Sequence, residues 1–161
     1  MTIVDKIITS IKAALGDDFP VYYHDAQTLN VMVSQMTMPC AMFQLLTTGN
    51  AVNEAGQMKE RVSAAVFFVE PSQFDFNAVD NEKIIDRCKA RAFSWLGALS
   101  SDALLTLTAL NRTTRVYDDT DDILTGFGVF ADLTELNGWS DCPTVPYDFN
   151  NDFNNDFLIA I

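Results

Sequence analysis

Two segments of this chain carry a helical repeat of apolar residues, Thr2–Leu15 and Asn81–Leu99, and extended, strand-like runs lie between and after them. The resulting order is helix, three strands, helix, two strands, and few architectures bury all of its apolar faces. The simplest is an α+β sandwich: one mixed or antiparallel sheet with two helices packed on one face, in the order α-β-β-β-α-β-β. With 161 residues the chain forms one domain that removes roughly two-thirds of its unfolded surface from water.

The first helix is framed by its own chemistry. Thr2 followed by Asp5 makes a capping box, and Ile3, Val4, Ile7, Ile8, Ile11, Ala14 and Leu15 form the apolar stripe. Gly16 is the expected stop. Phe19–Tyr23 reads as a short strand with Pro20 at its edge, and Pro39–Leu46 as the next. Between them Asp25–Thr37 reads as loop. Gly49–Glu60 is polar and follows no period, so a long loop is expected there. Arg61–Glu70 places Val62, Ala64, Val66 and Phe68 on one face and Ala65, Phe67 and Val69 on the other. A strand apolar on both sides belongs at the centre of the sheet.

The second helix begins near Asp80 with an acidic first turn, and Ile84, Ile85, Cys88, Ala92, Trp95, Leu96 and Leu99 form its stripe. Lys83, Arg87, Lys89 and Arg91 fall mainly outside that stripe, as a solvated outer face would have them. Leu104–Leu110 and Arg112–Tyr117 read as two strands. In Ile123–Leu136, Phe127, Val129, Ala131 and Leu133 alternate with Gly128, Phe130, Asp132 and Thr134, while Gly126 and Gly128 suggest a bulge or a close backbone approach. After Asn137 the composition changes. Gly138, Pro143 and Pro146 break regular structure, and Asp148–Phe157 spells DFNNDFNNDF. The folded domain is expected at 1–138, with 139–161 as an Asp/Phe/Asn-rich tail. Phe149, Phe153 and Phe157, with Tyr147 before them and Leu158–Ile161 after, are too apolar to stay solvated. They dock either on their own domain or on a neighbouring subunit or partner.

Composition narrows the function. Net charge is −12, which repels phosphate backbones and argues against tight binding of nucleic acid, though not against DNA sliding past an acidic wall. There is no run of ~20 apolar residues to cross a membrane and no signal peptide, so a cytosolic origin is expected. The three cysteines, Cys40, Cys88 and Cys142, are odd in number and none is spaced for zinc or redox work; Cys40 and Cys88 are expected in the core. His24 is the lone histidine, a strand-end residue, and no nucleophile motif or phosphate-binding glycine loop accompanies it. Asp118, Asp119, Asp121 and Asp122 lack the register of a calcium loop and read as a turn. No catalytic, cofactor or metal residue is therefore assigned. A non-enzymatic domain is expected; a small hydrolase working through acidic residues is the least favoured class.

The order of elements resembles the tail terminator (tail completion, head-tail joining) proteins of long-tailed bacteriophages. The resemblance spans roughly 2–136. It lies in the helix Ile3–Leu15, VYYHD at 21–25, MPCAMFQLL at 38–46, the strand Val62–Val69, the helix Ile84–Leu99 and YDDTDDILTGFGVFADL at 117–133. It implies a virion structural protein, assembled in the host cytoplasm. There it would form a homo-oligomeric, hexameric ring that caps the tail tube and joins it to neck or connector proteins, with DNA passing unread through the channel and no membrane involved. Closing a ring by heterologous contacts takes two complementary patches per subunit. The candidates are the Gly49–Glu60 segment, with Asn53, Glu54, Lys59 and Glu60, and the tail, with Tyr147, Phe149, Phe153 and Phe157. The other reading is a monomeric or dimeric binding domain of a bacterium or mobile element, without enzymatic activity.

Overall fold

Thr2 caps helix α1 (Ile3–Leu15): its hydroxyl accepts from the Asp5 amide at 3.2 Å while Asp5 accepts from the Thr2 amide at 2.9 Å. Gly16, at φ +111°, ends the helix in a conformation that costs glycine little. The computed structural model describes residues 1–24, 35–47, 59–72, 79–117 and 124–136, and the backbone alone of 50–54 and 57–58. Within these residues lie strands β1 (Val21–Tyr23), β2 (Cys40–Leu45), β3 (Asn50–Glu54) and β4 (Gln57–Pro71), helix α2 (Val79–Ala98), and strands β5 (Leu105–Val116) and β6 (Leu124–Glu135). The expected α+β class and order are present, with β3 as an additional short strand.

The sheet runs β1-β2-β4-β6-β5, with β1 parallel to β2 and every other pair antiparallel. β4 is central, as its two apolar faces require. Both helices pack on one face. There Ile7 and Ile11 of α1 and Ile84, Ile85, Cys88 and Trp95 of α2 meet Phe43, Val62, Val66, Phe68, Val129 and Leu133 in one continuous core. The opposite face is covered near β2, where Met36 and Met38 pack over Cys40, Met42, Val69 and Leu124. The α1 face turned inward is not quite the apolar stripe. Lys6 and Ser10 are buried with Ile3, Ile7 and Ile11, while Val4 and Ile8 are only half-buried. Ser10 accepts a hydrogen bond from the Trp95 indole at 3.2 Å, and Lys6 Nζ stands 3.0 Å from Glu135 Oε2 in an ion pair not aligned as a hydrogen bond.

Two expectations are corrected. Gly49–Glu60 is not one long loop: Asn50–Glu54 pairs antiparallel with Gln57–Arg61, and only residues 55–56 of the turn, with 48–49, lie outside the described residues. Its order comes from a ladder of backbone hydrogen bonds, to which side-chain periodicity is blind. The two strands expected at Leu104–Leu110 and Arg112–Tyr117 are one, β5, whose register slips between Leu107 and Ala109 and again between Leu110 and Arg112. Each bulge inserts a residue and resets the alternation, which makes one strand look like two. The Asp25–Thr37 loop is described only from residue 35, and Asp118–Asp122 lies outside the described residues.

The glycines of β6 mark a close approach. A Cβ on Gly126 would collide with the Phe68 carbonyl oxygen of the neighbouring strand and lie 2.9 Å from Val69 Cγ1. The obstacle is backbone and cannot rotate away. Gly126→Ala is expected to lower stability by about 2 kcal/mol through overpacking, read as a shifted urea midpoint. An unshifted midpoint would mean that β4 and β6 are not this close.

Candidate functional site

The β3–β4 ladder forms a two-stranded arm. β6 pairs with β4 from Arg61 to Pro71, so residues 57–60 run past the end of β6, and β3 pairs with them beyond the end of β2. Asn53 and Glu54 lie in β3 and Lys59 and Glu60 in β4, with Val52 opposite Lys59 and Ala51 opposite Glu60. The fold thus gathers four of the expected interface residues on one projection. Tyr147, Phe149, Phe153 and Phe157, with the 138/139 boundary and Cys142, lie outside the described residues.

At the base of the arm, the sheet face turned away from the helices carries a polar network that periodicity does not reveal. Arg61 Nε donates to Thr134 Oγ1 at 3.2 Å, and Thr134 and Thr108 share a hydrogen bond of 2.8 Å. Ser63 Oγ donates to Asp132 Oδ1 at 2.6 Å, and Asn111 donates to the same oxygen at 3.0 Å. Further along, the Arg112 guanidinium lies 4.1 Å over the Phe130 ring, whose edge meets Phe67 with centroids 5.9 Å apart. Cross-strand neighbours build all of it: Ser63 opposes Asp132, Phe67 opposes Gly128, and Arg112 opposes Phe130. Gly128 is what lets the Phe67 ring lie flat on β6, since a Cβ there would come within 2.6 Å of the ring.

On the helix face, Glu70 joins β4 to α2. Arg87 donates to it through Nη2 at 2.7 Å and Nε at 3.3 Å, and Arg91 donates through Nη1. Two of the four basic residues expected on a solvated outer face are therefore structural ties. Burial pushes the Glu70 carboxyl up, but the hydrogen bonds and charges of Arg87 and Arg91 outweigh it and hold it below the ordinary carboxylate range. A depressed carboxylate stabilises the fold above its unfolded pKa and loses that contribution as pH falls through the folded value. Glu70→Gln is expected to cost about 1 kcal/mol near pH 7, allowing for solvent screening, with the gap to the parent protein closing below about pH 4. Thermal melts across pH test this; a pH-independent gap would assign the loss to packing.

Burial pushes the Cys40 thiol up to about 12 and the Cys88 thiol to about 11, as core residues without thiolate character. His24 sits at the end of β1, buried and stacked on Tyr22 at 6.2 Å, with Nε2 unpaired among the described residues. Among the described residues no group of His, Cys, Asp and Glu is arranged to hold a metal, and no helix is long and apolar enough to cross a membrane. A depression of about 500 Å³ between the α1–β1 turn and Met38–Pro39 has Asp17 and Asp18 as its ionisable groups.

No family model and no curated protein matches the chain. Among solved structures, it is similar to a chain of the virion of a native gene transfer agent particle. The two share 12% identity at a TM-score of 0.30 over 78% of this chain and 84% of that one.

Proposed function

We propose that this chain is a structural protein of a phage-like particle, a tail terminator that works as a homo-oligomeric ring between tail tube and neck. The observation that carries the reading is the β3–β4 arm. A projection held by backbone ladders and standing clear of β6 is a rigid lever by which one subunit reaches a neighbour. The order of elements over 2–136 supports it, being that of the terminator proteins the sequence resembles. So does the net charge of −12, which lets a polyanion pass without sticking. The role is one of shape and surfaces, without catalysis: no nucleophile motif accompanies the single histidine. Light scattering coupled to size exclusion tests the reading. A higher closed oligomer is expected, alone or with a tail-tube protein. A strict monomer at high concentration, with and without that tube protein, would favour a small binding domain instead.

A further inference from the structure

The sheet face turned away from the helices has a charge opposite to that of the chain. Lys59, Arg61 and Arg112 lie on it by register, against two acids of the described strands: Asp132, already held by Ser63 and Asn111, and Glu54 of the arm, opposite Gln57. Beside these charges lie the half-buried rings of Phe67 and Phe130. Such a basic and aromatic surface on a protein of net charge −12 calls for an acidic and aromatic occupant.

We propose that this face is the docking site of the chain's own C-terminal segment, Asp148–Phe157. That segment has no Lys or Arg, and its DFNNDFNNDF repeat sets a carboxylate beside an aromatic ring at every fourth residue. Asp148, Asp152 and Asp156 complement Lys59, Arg61 and Arg112. Phe149, Phe153 and Phe157 supply rings to cover Phe67 and Phe130.

Where the chain leaves the sheet favours its own segment over a second copy's. β6 ends at the base of the arm, Thr134 opposite Arg61, so the polypeptide departs beside the basic end of this face. The residues from Asn137 to Tyr147 can extend about 35 Å. The face itself, from Thr134 back to Leu124, runs about 33 Å at strand rise. A tether of that length holds the segment at an effective concentration near millimolar, well above that of a second copy in dilute solution.

Lysine placement makes the test specific. The five lysines are Lys6 and Lys12 on α1, Lys83 and Lys89 on α2, and Lys59, which alone lies on the sheet face in question. Zero-length carbodiimide coupling of the full-length protein, as an equal mixture of ¹⁴N and ¹⁵N material, is read by mass spectrometry. Amide cross-links from Lys59 to Asp148, Asp152 or Asp156 are expected within single isotopic species. Their yield is expected to fall by about threefold or more in 0.5 M salt and in Arg61→Ser/Arg112→Ser, whose circular dichroism should match the parent's. Tail carboxylates coupling to Lys83 or Lys89 as readily as to Lys59, or not coupling at all, would overturn the proposal. Mixed-isotope cross-links alone would do the same and assign the face to a second copy. The cross-link within one molecule forms whether or not the chain closes into a ring, so failure here and failure of the terminator reading remain distinct.

Discussion

Val66→Asp is expected to lower the unfolding free energy by about 4 kcal/mol or more, enough to leave much of the protein unfolded at ambient temperature. Val66 is fully buried in the central strand, between Phe43 of β2 and Val129 of β6, and faces the helices. A carboxylate placed there meets aliphatic and aromatic carbon with no basic partner in the adjoining strands. It must ionise unpaired or fold protonated, and both cost several kcal/mol. Urea denaturation followed by circular dichroism is the measurement. A soluble variant with an unchanged midpoint would contradict the position of β4.

The second large effect concerns Lys6 and Glu135, whose side chains are 11% and 2% exposed. Lys6→Met leaves Glu135 without its counter-charge at the end of β6, opposite Leu105, and is expected to cost about 3 kcal/mol. The paired replacement, Lys6→Met with Glu135→Leu, is expected to recover most of that loss, because two desolvated charges are exchanged for packed carbon. The double-mutant cycle separates the two terms. Equal losses in the single and double variants would mean that Lys6 acts through its aliphatic stem and not through its charge.

These two predictions differ in how visible their residues are in the sequence. Val66 announces itself, because residues 64 to 69 are apolar at both parities and such a strand must be covered on both faces. Lys6 does not. It interrupts the Ile3–Ile11 stripe as an outward-facing lysine would, and only the packing of α1 against α2, β1 and β5 turns it inward to Glu135. The same division holds for the candidate site. The segment that became the arm was legible as a place of interest, because it is long and lacks a period. Its being a hairpin was not, since ladder hydrogen bonds leave no trace in side-chain order. Arg87 and Arg91 lie outside the apolar stripe of α2 and so pass for a solvated face. Glu70, 17 and 21 residues away in sequence, is brought to them by the packing of α2 on β4.

What the residues determine by themselves is local: the capped start and glycine stop of α1, the two amphipathic helices, the double-faced central strand and the glycines of β6. These follow from steric preference and from the period at which apolar groups recur, both readable within a few residues. The tertiary structure alone decided which charges face one another, where β5 slips its register, and which side of the sheet gathers Lys59, Arg61 and Arg112. Those properties depend on residues tens of positions apart arriving at one place, and the free energy that brings them there belongs to the assembled core.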